Sequence, residues 1–241
     1  MRISIIIPAF NEERLIGDTL QSIKAAASAF TRRNWDLEII VCDNNSTDGT
    51  AKLAGAAGAR VVFEPVNQIG RARNTGAAAA TGDWLIFVDA DSKPSAELFD
   101  AVADLIESGR CLAGGSTVRL EGDYPFANLM VGLWNWTSRI RHWMAGSFIF
   151  CETAAFRKLR GFNQELFASE ELELSQRLNM LARKQKKKIV ILHQHPLLTS
   201  ARKVQLYTFR EHVWFLTKTL FTWGGTLKRR EACHTWYDGR R

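Results

Sequence analysis

Residues 84–91 read Trp84-Leu85-Ile86-Phe87-Val88-Asp89-Ala90-Asp91. The five apolar residues are consecutive rather than alternating, the pattern of a short strand buried on both faces. Two carboxylates follow at once, one residue apart. At the end of a buried strand such a pair can share a hard divalent cation and the phosphates it carries. The same arrangement repeats outward from this point. A β-branched run over 3–7 ends at Pro8 and gives way to Asn11 and Glu12. A second run over 37–42 ends at Asp43, Asn44 and Asn45, and a third strand is predicted over 60–64. Helical spacing fills the gaps, over 12–28, 46–57, 70–80 and 95–108. In the first of these Leu15, Thr19, Leu20, Ile23 and Ala27 share a face, and in the second Ser46 or Thr47 is the expected N-cap, with Asp48 in the first turn. This βαβαβαβα order predicts an α/β fold, a doubly wound and mostly parallel sheet flanked by helices. Ligands of such sheets bind beyond the carboxyl ends of the strands, where three acidic or amide clusters converge.

The second half is less regular. Strands are expected over 114–120, 147–151 and 189–192. A helix rich in tryptophan and arginine is expected over 126–142. A strong helix over 169–184 is expected to be capped by Ser169, with Glu170, Glu171 and Glu173 in its first turn. A last helix is predicted over 204–221, broken by Gly224-Gly225. No linker separates two domains. The division expected is one domain over 1–203 and a basic, aromatic extension over 204–241.

The chain has 241 residues, 46% of them hydrophobic and 24% charged. That composition suits one large globular domain and speaks against a disordered, collagenous or coiled-coil chain. No apolar run reaches the roughly 18–20 residues of a membrane span, and the start of the chain does not read as a secretory leader. Cys42, Cys111, Cys151 and Cys233 lie far apart with no Cys-x-x-Cys pair. Buried, reduced thiols and a cytoplasmic setting are therefore expected. The net charge of +7 is uneven: residues 182–241 carry 14 Lys/Arg against 3 acids. Trp134, Trp136, Trp143, Arg139 and Arg141, and then Trp214, Phe215, Phe221, Trp223 and Lys228-Arg229-Arg230, mix rings with cations. Such segments suit an anionic membrane surface, which would place the protein peripherally on the inner face of a membrane. The competing reading is a core helix with basic flanks. No nucleic-acid-binding motif is present, so nucleic acid is not an expected partner. Neither a Gly-x-x-x-x-Gly-Lys-Ser/Thr loop nor a Gly-x-Gly-x-x-Gly turn occurs. Phosphate would be neutralised by a cation at Asp89 and Asp91, or by Arg71 and Arg73 at the start of the 70–80 helix.

Four segments together resemble the motif series of family 2 glycosyltransferases. They are Pro8-Ala9-Phe10-Asn11-Glu12-Glu13, Asp43-Asn44-Asn45-Ser46-Thr47-Asp48-Gly49-Thr50, Gly70-Arg71-Ala72-Arg73-Asn74 and Asp89-Ala90-Asp91. Their order and spacing match over about residues 3–203. The resemblance implies a GT-A fold, with a Rossmann-like nucleotide-sugar half over about 1–110 and a less regular acceptor half over 111–203. It implies a nucleotide-diphospho-sugar donor, with UDP-sugar the first expectation, and an acceptor hydroxyl that a lipid-linked or cell-envelope glycan would supply. It implies Mn²⁺ or Mg²⁺ as cofactor.

The resemblance also assigns roles. Pro8, Ala9 and Glu12 line the nucleotide pocket, Asp43 accepts from the base, and Arg73 sits near the diphosphate. Asp89 faces the ribose or sugar, and Asp91 ligates the metal. The family's acidic pair at a helix start corresponds to Glu170-Glu171, where Glu171 replaces the usual Asp. Glu171 is the expected base, with Glu170 the alternative. His195, or else His193, completes the metal shell in such enzymes, and Arg202 or Lys203 would close over the diphosphate. Two other readings compete: a non-catalytic nucleotide-sugar-binding scaffold, and a sugar-nucleotide pyrophosphorylase. The second needs a glycine-rich loop where Ala9-Phe10-Asn11-Glu12 stands.

Overall fold

The computed structural model describes residues 1–202. Lys203 and the expected 204–221 helix and 204–241 extension, with Cys233, lie outside the described residues. Eight strands form one sheet: β1 (Arg2–Ala9), β2 (Asp36–Asp43), β3 (Arg60–Phe63), β4 (Trp84–Val88), β5 (Ser92–Lys93), β6 (Cys111–Leu120), β7 (Phe148–Glu152) and β8 (Lys188–Thr199). Their order across the sheet is β3-β2-β1-β4-β7-β6-β8-β5. Pairs within β3-β2-β1-β4 are parallel, as is β6 with β8. The strands β7 and β5 run against their neighbours. The mostly parallel sheet is thus observed, with β7 and the two-residue β5 reversed.

The helices are α1 (Ile16–Ala26), α2 (Ser28–Thr31), α3 (Thr50–Ala56), α4 (Ile69–Ala79), α5 (Ala96–Glu107), α6 (Pro125–Arg141), α7 (Thr153–Lys158) and α8 (Glu170–Lys184). Alternation along the central strands sorts the core onto two faces. Ile3, Ile5, Ile7, Ile86 and Val88 pack with residues of α1, α2 and α5. Ile6, Ile40, Leu85 and Phe87 pack with residues of α4, α7 and α8. Helix α4 lies almost flat on β1: a Cβ on Gly76 would stand 2.5 Å from the Ile6 Cγ2. Only glycine allows that approach, and it holds the preceding turn of α4, with Arg73 and Asn74, close to the sheet.

Several local expectations shift. Helix α1 begins at Ile16, because Glu12 to Leu15 turn out of β1 toward the sheet edge. Helix α3 begins at Thr50, and neither Ser46 nor Thr47 caps it. Ser46 Oγ accepts the Asn11 N–H, the Thr47 N–H bonds Asn11 Oδ1, and Asp48 Oδ1 takes the Thr50 N–H at the helix start. Ser169 sits before α8 in the left-handed region (φ 62°) and makes no side-chain cap bond. Strand β8 runs on to Thr199 past a register shift between Leu192 and Leu197. His193 and His195 therefore lie inside β8, at a bulge that tolerates Pro196, and not in a loop after it. Cys42, Cys111 and Cys151 are buried free thiols, as expected; burial pushes Cys42 and Cys111 up to about 12.

Candidate functional site

The carboxyl ends of β1, β2, β3 and β4 lie along one edge, as their parallel registers require. Pro8 and Ala9 end β1, and the Ala9 carbonyl accepts the Asn44 N–H at 2.7 Å, which ties the first two strand ends together. Asp43 ends β2, is buried, and its Oδ1 accepts the Ser46 N–H at 3.1 Å. Asp89 and Asp91 follow β4. The Asp91 carbonyl accepts the Ser200 N–H, and the Ser92 hydroxyl donates to Thr199 Oγ1, so the end of β8 pins the loop after β4.

Arg202 comes directly from that strand end. Its Nη1 and Nη2 donate to the two carboxylate oxygens of buried Glu12 at 2.9 and 2.8 Å, and Nη2 stands 3.9 Å from Asp91 Oδ2. Burial works against the Arg202 charge, but the bonds to Glu12 and the field of Asp91 outweigh it and hold its proton more tightly than usual. A two-pronged guanidinium is thus shared between the expected nucleotide pocket and the expected metal aspartate.

Arg73, expected near the diphosphate, reaches inward from α4. The side chain is fully buried and forms a hub between carboxylates rather than an open phosphate contact. Nη1 donates to Glu170 Oε1 at 2.6 Å, and Nη2 donates to Asp89 Oδ1 at 2.9 Å and to the Gly146 carbonyl at 2.8 Å. Its guanidinium lies over the Phe162 ring at 5.3 Å, and Phe162 packs edge-on to Phe87. Desolvation opposes this buried charge, and Asp89, Glu170 and Glu171 together overcome it. The Arg73 Nε has no hydrogen-bond partner, so the anchoring rests on the two terminal nitrogens.

The hub fixes the relation between the two halves. Asn74, next on α4, clamps residue 162 through two bonds at 2.9 Å, one from the Phe162 N–H and one to the Phe162 carbonyl. The following chain leads into α8, whose first turn carries Glu170 and Glu171 at the positive end of the helix. Glu170 is buried and committed to Arg73. Glu171 is half-buried, and its Cγ and Cδ lie 3.6 Å from where a Gly146 Cβ would stand. Burial, with the adjacent charge of Glu170, pushes the Glu171 carboxyl up, while Arg73 pulls it down; the net is a carboxyl near 8. Glu173 stays outside this group, paired with Arg177 four residues on.

Arg71 turns away from the hub to Glu64 Oε1 at 3.3 Å and Gln164 Oε1 at 3.2 Å. Glu64, Gly146 and Phe162 were not singled out as site residues from the sequence. Glu64 had a signal, since it is a further acid at a strand end. It is buried, and bonds from Thr75, the Val66 N–H and Arg71 overcome desolvation to hold its carboxyl below the usual range. Gly146 has no sequence signal at all. His195 lies within β8, in the stretch between Leu192 and Leu197 where the register with β6 shifts. Among the described residues no three His, Cys, Asp or Glu side chains form a metal-binding cluster, so the structure does not bring His195 to Asp89 and Asp91.

The comparisons agree with this geometry. The model of the family described as "Glycosyl transferase family 2" matches residues 4–166. An uncharacterized glycosyltransferase of Mycobacterium tuberculosis is 34% identical over 143 residues, covering 58% of this chain and 61% of that protein. The glucosyl-3-phosphoglycerate synthase of Mycolicibacterium smegmatis is 36% identical over 97 residues, 37% of this chain and 30% of the other. The chain thus spans about three-fifths of the first relative and less of the second. Among solved structures, S. aureus TarS 1–349 in complex with UDP-GlcNAc superposes with a TM-score of 0.66 at 19% identity, covering 98% of this chain and 69% of that one. The mannosyltransferase PcManGT of Pyrobaculum calidifontis, in complex with GDP-Man and Mn²⁺, gives 0.65 at 19% identity, covering 90% and 60%. These likenesses establish the GT-A fold. With the family model matched over residues 4–166, from β1 past the Arg73 hub to the approach of α8, the chain belongs to glycosyl transferase family 2.

Proposed function

We propose that this chain transfers a sugar, with inversion, from a nucleoside diphosphate to an acceptor hydroxyl, and that UDP is the preferred nucleoside diphosphate. One observation supports the reading: Arg73 bonds both Asp89 after β4 and Glu170 at the start of α8, 16 and 97 residues away in sequence, so the Glu170-Glu171 pair and the first aspartate share one hub. Solved structures that hold UDP-GlcNAc and UDP-glucose support a uridine donor, and the one that holds GDP-Man makes guanosine the competitor to test. The lipid-linked or cell-envelope acceptor stays part of the proposal.

Asp91, assisted by Asp89, is the pair that would hold Mn²⁺ or Mg²⁺. Two carboxylates suit a cation whose remaining ligands are phosphate and water. Bound there, the cation would neutralise charge on the departing diphosphate. Asp43 and Glu12 present carboxylates to N–H and O–H groups of the nucleoside. The Arg202 guanidinium supplies N–H donors to the diphosphate oxygens. Glu171 takes the proton of the acceptor hydroxyl. That oxygen bonds to the anomeric carbon from the face opposite the diphosphate, the carbon–oxygen bond to the diphosphate breaks, and configuration inverts. Glu170 is held by Arg73 and orients the helix start.

Calorimetric titration with UDP, GDP, dTDP and CDP, each with and without Mn²⁺, tests the donor half. Metal-dependent binding of UDP, lost in Asp91→Ala, is expected. A folded protein that binds none of the four with metal present would overturn the donor site and favour a scaffold role.

A further inference from the structure

Strand β7 pairs with β6 only from Ala113 to Gly115, yet β6 runs on to Leu120 beside β8. The ladder edge this leaves open is closed from α6. There Asn135 accepts the Val118 N–H at 3.0 Å and donates to the Val118 carbonyl at 2.9 Å. One amide side chain can stand in for a strand because it carries both an acceptor and a donor. Between the first half of α6 and the ends of β6 and β8 lies a cavity of about 640 Å³, lined by Arg119, Glu121, Asn128, Val131, Gly132 and Leu198 among others.

The strands orient this cavity. Val118 and Leu197 pack with the α1 and α5 side of the sheet, so Arg119 and Leu198, next along each strand, turn to the opposite face. That face carries α8: Ile189 and Ile191 of β8 share a core with its Leu174 and Leu178. Helix α8 ends at Lys184, shortly before β8 starts beside Cys111. Its first turn, with Glu171, therefore lies toward the far ends of β6 and β8. Across those ends Arg119 pairs with Leu198, and Leu198 with Lys93. Two strand spacings, about 10 Å, separate Arg119 from Lys93, which follows Asp91 by two residues. The cavity thus shares a face and an edge of the sheet with the proposed base.

Its charges are not balanced. The Glu121 carboxylate takes Lys93 Nζ at 3.2 Å, and Lys93 also stands 3.7 Å from Asp18. Asn128 donates to Asp123, and both ends of the Asn135 amide are spent on Val118. Arg119 is the only cation of the lining, and its exposed guanidinium meets neither a carboxylate nor a hydrogen-bond acceptor among the described residues. Beside it Gly132 leaves open space. A free guanidinium fork at a part-apolar wall suits an oxyanion held by two prongs.

We propose that Arg119 holds a phosphate or carboxylate of the acceptor, which makes the acceptor an anionic hydroxyl compound rather than a neutral glycan end. The assignment of this anion to the acceptor rests on the transfer reading above, in which Glu171 takes the proton of a hydroxyl on the same molecule.

Calorimetric titration of the full chain with glycerol 3-phosphate, glycerate and glycerol tests it. Each is taken to about 50 mM, without metal, so that the cation site draws no anion. One of the two anions should bind at millimolar concentration and glycerol should not, and the anion that binds names the group. Arg119→Leu should weaken that binding about tenfold or more, while UDP with Mn²⁺ titrates as in wild type. Glu121→Gln removes the opposing charge from the cavity and frees Lys93, so it should tighten the same anion about threefold; a misfolded variant cannot gain affinity. Anions that bind no better than glycerol overturn the proposal, as does binding that survives Arg119→Leu or weakens in Glu121→Gln. Anion binding that depends on Arg119 in a protein that takes no UDP would overturn the transfer reading and keep the anion site. UDP binding without anion binding would overturn the anion site alone.

Discussion

Gly146 packs against both Arg73 and the proposed base Glu171, and Gly146→Ala is the sharpest test of the proposed site. The added Cβ would stand 3.2 Å from Arg73 Nη2 and 3.6 Å from both Cγ and Cδ of Glu171. The first distance is too short for comfort, so the guanidinium must yield by a few tenths of an ångström. It is held by Asp89, Glu170 and the residue 146 carbonyl itself, and part of the displacement passes to Glu171. Overpacking of this kind costs about 1 kcal/mol or slightly more, which leaves the protein folded. The effect on rate is larger in proportion. A shift of about 1 Å in a reacting group can cost 10²-fold, so a few tenths should lower kcat about tenfold with little change in donor KM. The assay is release of nucleoside diphosphate from the donor accepted in the titration, with urea unfolding alongside. Glu171→Asp withdraws the carboxylate by one methylene and relieves its contact with the new methyl. The double variant should therefore be no slower than Glu171→Asp alone. Independent, multiplying losses would refute the claim that Gly146 acts through Glu171, and wild-type kcat in Gly146→Ala would refute the geometry outright.

Two further outcomes follow from the hub. Arg73→Met leaves Asp89 and Glu170 without their buried partner and should cost about 3–5 kcal/mol in urea unfolding; a loss below about 1 kcal/mol would mean the network holds nothing. The proposed base Glu171 would work only when ionised, and burial beside Glu170 pushes its carboxyl up to about 8, so kcat/KM should rise tenfold per pH unit up to about 8 and level off above. Because the folded state raises this carboxyl, its contribution to stability is present below the ordinary carboxylate range and is lost as pH rises toward about 8. Between pH 5 and 9 wild type should thus lose stability relative to Glu171→Gln; parallel stability curves would refute it.

The strand over 84–88 was legible to the residue, because five consecutive apolar side chains admit few other readings. The starts of α1 and α3 were not, although those of α4, α5, α6 and α8 fall within one residue of expectation. Ser46 and Thr47 look like caps locally, yet Asn11, 35 and 36 residues away, uses them, and a local pattern carries no trace of that. The far half of β8 was hidden because a bulge with Pro196 interrupts its alternation. In the site, the acids at strand ends could be read one by one, since each follows its own apolar run. Burial of Arg73 could not, since it depends on Asp89, Glu170 and Gly146 arriving from three separate elements. Placement of His193 and His195 inside β8 rather than after it follows from the same unseen bulge.

The short ladder between β5 and β8 has a consequence for how the molecule is made. Ser92 and Thr199 are 107 residues apart, and their contact fixes the turn that carries Asp91. A ribosome finishes the two aspartates long before it makes the strand that holds them. The β3-β2-β1-β4 block can close early through short right-handed crossovers, but the loop after β4 stays without its clasp until the end of β8 has emerged. Ordering of the loop that carries Asp91 therefore waits on β8, and a chain cut short just before Thr199 would keep most of its described core while leaving Asp91 unmoored.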